Sequence, residues 1–202
     1  MEEQFEALVE GILEQGYGTA PGFFDEPLVK ELRENLQKKL ADGEMRPAGT
    51  GKQFTFQKNV ALRGDLIAWI DEKHPSSPEL AFLDRIGAFV QYLNRTCFTA
   101  INGLEFHYAF YGEGSFYKRH LDQFQHDRGR KFSVVTYLND AWLPDDGGEL
   151  VLYLPQGEKT ICPEAGRIVF FKADEIEHEV KPARRDRMSI AGWLLSVSPV
   201  EL

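Results

Sequence analysis

Hydrophobic positions along the chain change period once, and the change divides it into a helical part and a stranded part. In the first third they recur at helical spacing. Phe5, Leu8, Val9 and Ile12 make one apolar stripe, because residues three and four apart share a helix face. Leu28, Leu32, Leu36 and Leu40 make a second, opened by Asp25-Glu26-Pro27, where an acceptor and a proline suit a helix start. Leu83, Ile86, Val90 and Leu93 make a third after Ser77-Pro78. Between the second and third stripes, residues 46–59 hold Pro47, Gly49 and Gly51 and carry no period. A connection that long is usually functional or mobile.

From Leu104 onward the period is two. Phe106, Tyr108 and Phe110 alternate with Glu105, His107 and Ala109. Runs at 132–138, 149–154, 167–172 and 188–197 predict further strands. Turn signals separate them at Gly112-Glu113-Gly114, Asp145-Asp146-Gly147-Gly148, Pro155-Gln156-Gly157 and Pro163-Glu164-Ala165-Gly166. Helices followed by many short strands predict an α+β, mainly β protein: a sandwich or jelly roll buttressed by N-terminal helices. We read residues 1–202 as one domain, with helical support over about 1–100 and the stranded core over about 104–198.

Composition narrows the class. A chain of 202 residues has length for one sizeable core rather than two. The formal net charge of −9 argues against nucleic acid, whose phosphates need a basic surface. No apolar stretch approaches the length of a bilayer span, so no membrane partner is expected. The start Met1-Glu2-Glu3-Gln4 lacks the basic residues of a secretory signal, and Cys97 and Cys162 form no CxxC pair. Reduced cysteines and a cytoplasmic location are the expectation.

Candidate chemistry begins at His120-Leu121-Asp122. On a strand, side chains at i and i+2 leave the same face, so an imidazole and a carboxylate are presented together. Alone, the pair equally describes a hydrogen-bonded strand end. His178 follows the apolar run 168–171, within Asp174-Glu175-Ile176-Glu177-His178-Glu179-Val180. Two histidines and a carboxylate make the facial triad of non-haem Fe(II) oxygenases. A zinc hydrolase also uses three protein ligands, so the ligand set leaves both open. A 2-oxoglutarate cosubstrate separates them, because its far carboxylate needs a cation, and the arginine fork fits one. By strand parity Arg187, Ser189, Ala191 and Trp193 share a face, with small residues leaving room for a diacid. An inward Arg187 would require an anion, whereas Arg184 and Arg185 precede the strand and read as solvated. Ser133, Val135 and Tyr137 share a second face by the same rule. His107 reads as packed in a strand, His126 as an exposed loop residue.

Several longer pieces occur together: Arg63-Gly64-Asp65-Leu66-Ile67-Ala68-Trp69-Ile70; Tyr111-Gly112-Glu113-Gly114 leading to Tyr117-Lys118-Arg119-His120-Leu121-Asp122; Thr136-Tyr137-Leu138-Asn139; Gly147-Gly148-Glu149-Leu150; and His178-Glu179-Val180 with Pro182, Arg187 and Trp193. In this combination, over about 60–197, the chain resembles the prolyl hydroxylase branch of the 2-oxoglutarate oxygenases. It is similar to the animal enzymes that modify hypoxia-inducible factor and to their bacterial relatives.

The resemblance implies a double-stranded β-helix fold and a dioxygenase using Fe(II), 2-oxoglutarate and O₂, with ascorbate as reductant. His120, Asp122 and His178 would hold iron. Arg187 and the Tyr137 hydroxyl would bind the far carboxylate of 2-oxoglutarate, and Tyr111, Leu150 and Trp193 would line the pocket. Residues 46–59 match a loop that folds over substrate, and Arg63, Asp65 and Arg130 a peptide-binding rim. Outside the resemblance, Arg63 and Asp65 would be a surface ion pair, worth little. The implied target is C4 of a proline in an exposed loop of another protein, for the bacterial relatives a loop of elongation factor Tu. Alternatives are an oxygenase of free proline or another small molecule, and a non-catalytic iron and 2-oxoglutarate sensor. Departures from the animal pattern, such as Val151 where an arginine is common, fall outside the metal positions.

Overall fold

The computed structural model describes residues 2–49, 62–123 and 129–197. The proposed loop at 46–59 is described only to residue 49, and His126 lies outside the described residues. The chain runs α1 (Glu2–Gln15), β1 (Tyr17–Ala20), α2 (Glu26–Ala41), β2 (Arg46–Pro47), β3 (Leu66–Trp69), α3 (Ser77–Cys97), β4 (Gly103–Tyr111) and β5 (Tyr117–His120). It continues with β6 (Arg130–Tyr137), β7 (Leu150–Leu154), β8 (Gly157–Ile161), β9 (Ile168–Lys172), β10 (Glu177–Val180) and β11 (Arg187–Leu195).

The helices start where their caps are. The Asp25 carboxylate accepts the Leu28 N–H at 3.0 Å, with Pro27 in the first turn of α2. At α3 the Ser76 N–H donates to the Glu79 carboxylate at 2.7 Å, half of a capping box. The buried stripe of α3 is Phe82, Ile86, Phe89 and Leu93. The sequence pattern predicted Leu83 and Val90 in place of the two phenylalanines; both are only partly buried. Two adjacent stripes of this helix are apolar, and spacing does not say which one meets the sheet.

Antiparallel strands form two sheets, a seven-stranded one in the order β1-β9-β6-β11-β4-β3-β2 and a four-stranded one in the order β5-β10-β7-β8. Together they are the double-stranded β-helix, in line with the expected mainly β fold. The central strands of the large sheet are largely apolar on the face toward the helices and mixed on the other, and parity sorts their apolar residues. Phe106, Tyr108, Ile168, Phe170, Ile190 and Leu194 meet the helices. Ala109, Tyr111, Tyr137, Val169 and Phe171 face the small sheet, where Leu150, Leu152 and Val180 meet them. Helices thus seal one face of the large sheet, and the chamber between the sheets is left for the site.

Six strands lay outside the predicted runs: β1, β2, β3, β5, β8 and β10. Each is two to five residues long, and β8 is exposed along most of its length. Strands this short carry too few alternations for a period to register. The expected strand through His120 and Asp122 also needs correction, because β5 ends at His120 and Asp122 lies in the bend that follows.

Candidate functional site

The floor of the chamber is a set of rows across the large sheet. Antiparallel register sets Arg187 beside Tyr111, then Ser189 between Ala109 and Tyr137. The next row holds Trp69, His107, Ala191 and Val135, and the last Glu105, Trp193 and Ser133. The small sheet forms the roof. There His178 of β10 and His120 of β5 are register partners. The chamber has a volume of about 170 Å³.

His120, Asp122 and His178 each offer an atom within 4.8 Å of the other two. Both histidines are aimed by the same device. Nδ1 of His120 lies 2.7 Å from the Lys118 carbonyl, and Nδ1 of His178 lies 3.2 Å from the Ile176 carbonyl. With Nδ1–H donating there, each Nε2 is left as the ligand atom. The Nε2 atoms stand 3.5 Å from the two oxygens of Asp122. The Ser133 hydroxyl donates to Asp122 Oδ2 at 2.7 Å and fixes the carboxylate from the floor. Burial opposes ionisation of Asp122, but the facing His178 and His120 imidazoles and the Ser133 hydroxyl outweigh it and hold the carboxyl well below its usual range. Burial pushes His178 down to about 4, so its ring is neutral, as a metal ligand must be. The set of two imidazoles and one carboxylate suits Fe(II).

Arg187 lies at the inner end, 1% exposed. Its Nε donates to the Gly148 carbonyl at 2.8 Å and its Nη1 to the Ser189 hydroxyl at 3.3 Å. The Tyr111 and Tyr137 rings lie 4.9 and 5.2 Å from its guanidinium carbon. Among the described residues no carboxylate pairs with it. Across the next row the Tyr137 hydroxyl is buried with no hydrogen-bond partner among the described residues. Burial pushes this phenol up to about 12, so it remains a donor. A buried guanidinium without a counter-ion beside an orphaned donor is a receptor for a carboxylate. The residues therefore fit both iron and a keto diacid.

The remaining predicted positions sort as follows. Leu150, Tyr111 and Trp193 line the chamber. Arg130 does so too, its guanidinium carbon 3.4 Å from the Trp193 ring centre and its Nη2 3.1 Å from Glu105. Arg63 and Asp65 are not a surface pair. Asp65 is 2% exposed and joined to Arg63 by two hydrogen bonds of 2.7 and 2.6 Å. Sequence reasoning assigned no role to Tyr117, whose ring stacks on His120, or to Ser133 as the support of Asp122. Parity with Tyr137 was the signal for Ser133. His107 is packed in a strand as expected, yet it also lines the chamber. Arg184 and Arg185 are exposed, as read.

Residues 106–195 match the family model described as the 2OG-Fe(II) oxygenase superfamily. The human protein Egl nine homolog 1 is 31% identical over 155 residues, covering 71% of this chain and 36% of that protein. The chain spans less than half the length of the curated Egl nine homologs it matches. Among solved structures, a prolyl-4-hydroxylase of Pseudomonas putida superposes with a TM-score of 0.86 at 34% identity, covering 96% of this chain and 100% of that one. A prolyl hydroxylase from Trichoplax adhaerens, in complex with a hypoxia inducible factor oxygen degradation domain peptide fragment, superposes with a TM-score of 0.85 at 26% identity, covering 96% and 90%.

Proposed function

The chain belongs to the 2OG-Fe(II) oxygenase superfamily, in its prolyl 4-hydroxylase branch, and on that premise we propose that it hydroxylates C4 of a proline in an exposed loop of another protein. The leading candidate for that protein is elongation factor Tu. The observation that carries the reading is the Arg187–Tyr137 receptor, buried and without a carboxylate, on the floor of the chamber whose roof and rim bear the triad.

In this reading His120, Asp122 and His178 hold Fe(II). Bound with 2-oxoglutarate and O₂, the iron supplies decarboxylation of the cosubstrate to succinate coupled to insertion of one oxygen atom into a substrate C–H bond. The chain's own residues position and exclude. Arg187 and Tyr137 grip the far carboxylate of 2-oxoglutarate and set how deeply it enters. Tyr111 and Leu150 wall that end off from water, so each hydrogen bond there acts in a low-dielectric pocket. Arg63, Asp65 and Arg130 shape the rim that receives the peptide. Among the described residues no nucleophile or general base is needed.

The test incubates purified protein with Fe(II), ascorbate and 2-oxoglutarate, with and without a proline-containing loop peptide of elongation factor Tu. Succinate and a one-oxygen mass gain on proline, both lost in His120→Ala and Arg187→Ala, support the whole reading. Succinate without peptide modification rejects the peptide. Turnover of free proline moves the substrate class to small molecules.

A further inference from the structure

We infer that His107 is a specificity-determining residue of this chamber: its imidazole donates a hydrogen bond to an amide carbonyl flanking the target proline, and so selects a peptidyl proline over the free amino acid. The inference rests on the prolyl reading above and names what that site recognises.

Four observations converge. First, position: His107 is 5% exposed and lines the chamber, one row out from Ser189 and Tyr137 and one row in from Trp193 and Ser133. It therefore lies on the floor between the carboxylate receptor and the mouth. Second, packing: the ring sits against two indoles in one cluster, its centre 5.0 Å from that of Trp69 and 5.6 Å from that of Trp193, the two indoles being 6.4 Å apart. Trp69 is 54% exposed and marks the mouth. Third, satisfaction: Nδ1 is buried and has no hydrogen-bond partner among the described residues. A proton placed there would be an orphaned buried donor, so a neutral ring carries its proton on Nε2. Burial, then the nearby Arg63 charge, hold the ring neutral by pushing it down to about 4. Fourth, electrostatics: among the described residues the cations near this end are already paired, Arg63 with Asp65 and Arg130 with Glu105. Free proline brings a carboxylate that would need a cation of its own, whereas an amide carbonyl needs one neutral donor. Neither metal binding nor the carboxylate receptor uses His107, so a buried polar ring in this position is otherwise unexplained.

The experiment measures binding of N-acetyl-L-proline amide and of L-proline to the full chain loaded with 2-oxoglutarate and Mn(II), by tryptophan fluorescence. Wild type is expected to prefer the capped proline. His107→Leu, similar in volume but unable to hydrogen-bond, is expected to narrow that preference roughly three- to tenfold, the worth of one neutral hydrogen bond. His107→Gln, which keeps a donor, is expected to restore most of it. An unchanged preference in His107→Leu, an equal loss in His107→Gln, or a wild type that favours L-proline overturns the inference. So does a wild-type ring protonated at Nδ1 by histidine ¹⁵N NMR, a readout independent of how the variants fold. Absence of oxygen transfer to proline, with the binding preference still governed by His107, rejects the reaction and leaves the recognition standing.

Discussion

The ring of Tyr117 lies flat on the imidazole of His120, centres 3.5 Å apart and planes 14° from parallel. Arg63 lies over the same tyrosine, its guanidinium carbon 4.0 Å from the ring centre, and Asp65 holds Arg63 by two hydrogen bonds. Backbone pairing between Arg63 and Tyr117 ties the segment before β3 to β5. A candidate metal ligand is thus braced, through one aromatic ring, by a buried ion pair on another part of the chain.

This bracing is testable through the metal. Groups that orient a ligand from behind typically govern affinity by ten- to a hundredfold. Tyr117→Leu is expected to weaken Fe(II) or Mn(II) binding about tenfold, measured by titration under anaerobic conditions. Tyr153→Leu, on the outer side of the small sheet, is expected to leave the metal affinity unchanged.

Asp65→Ala leaves Arg63 in a largely enclosed place without its partner. Breaking a buried pair from one side costs about 3–5 kcal/mol, and urea denaturation of the variant is expected to show a loss of that order. A loss below about 1 kcal/mol would return the pair to the surface class expected from sequence.

Arg187→Leu separates stability from function. It removes a buried guanidinium that has no carboxylate partner among the described residues, so the apo-protein is expected to be as stable as wild type or more so. The same change is expected to raise the KM for 2-oxoglutarate a hundredfold or more, and Tyr137→Phe about tenfold, since hydrogen bonds to a charged group are worth about 1.5–3 kcal/mol. Steady-state succinate formation and thermal denaturation read the two effects independently.

Gly192 sits between Ala191 and Trp193 on β11, and a Cβ there would lie 2.1 Å from the Glu105 carbonyl oxygen and 2.3 Å from the Phe106 ring. The nearest atom is backbone of the paired strand and cannot turn aside. Gly192→Ala is expected to destabilise the fold by about 1–3 kcal/mol or more and to part β4 from β11. Hydrogen exchange of the β4 amides would report the parting directly.

His107 gives the stability a pH dependence. Its folded-state pKa is pushed from 6.5 down to about 4, so between those values the unfolded chain takes up a proton that the folded chain does not. Stability from this group is present above pH 6.5 and is lost as pH falls toward 4, at up to about 1.4 kcal/mol per unit. In metal-free protein, the gap in unfolding free energy between wild type and His107→Leu is expected to move in the variant's favour from pH 7.5 to pH 5. A constant gap would contradict a neutral His107.

Local pattern alone determined a good deal of this protein. Helical stripes marked all three helices, and period-two runs marked the long strands β4, β6 and β11, because elements of eight residues or more repeat their period often enough to be read. Parity within those strands put Arg187 with Ser189 and Trp193, and Ser133 with Tyr137, before any contact between strands was known. What parity does not contain is distance along the fold. His120 and His178 are register partners only because β5 and β10 pair across the small sheet, and both strands are too short to announce themselves. Nor does spacing within the Arg-Gly-Asp run say whether its charges are solvated. Burial of Asp65, the Tyr117 stack on His120 and the sealed Nδ1 of His107 all depend on which chain segment lies across from each residue. Periodicity is a property of neighbours along the chain, and these are properties of neighbours across it, which only the packing of two sheets against each other decides.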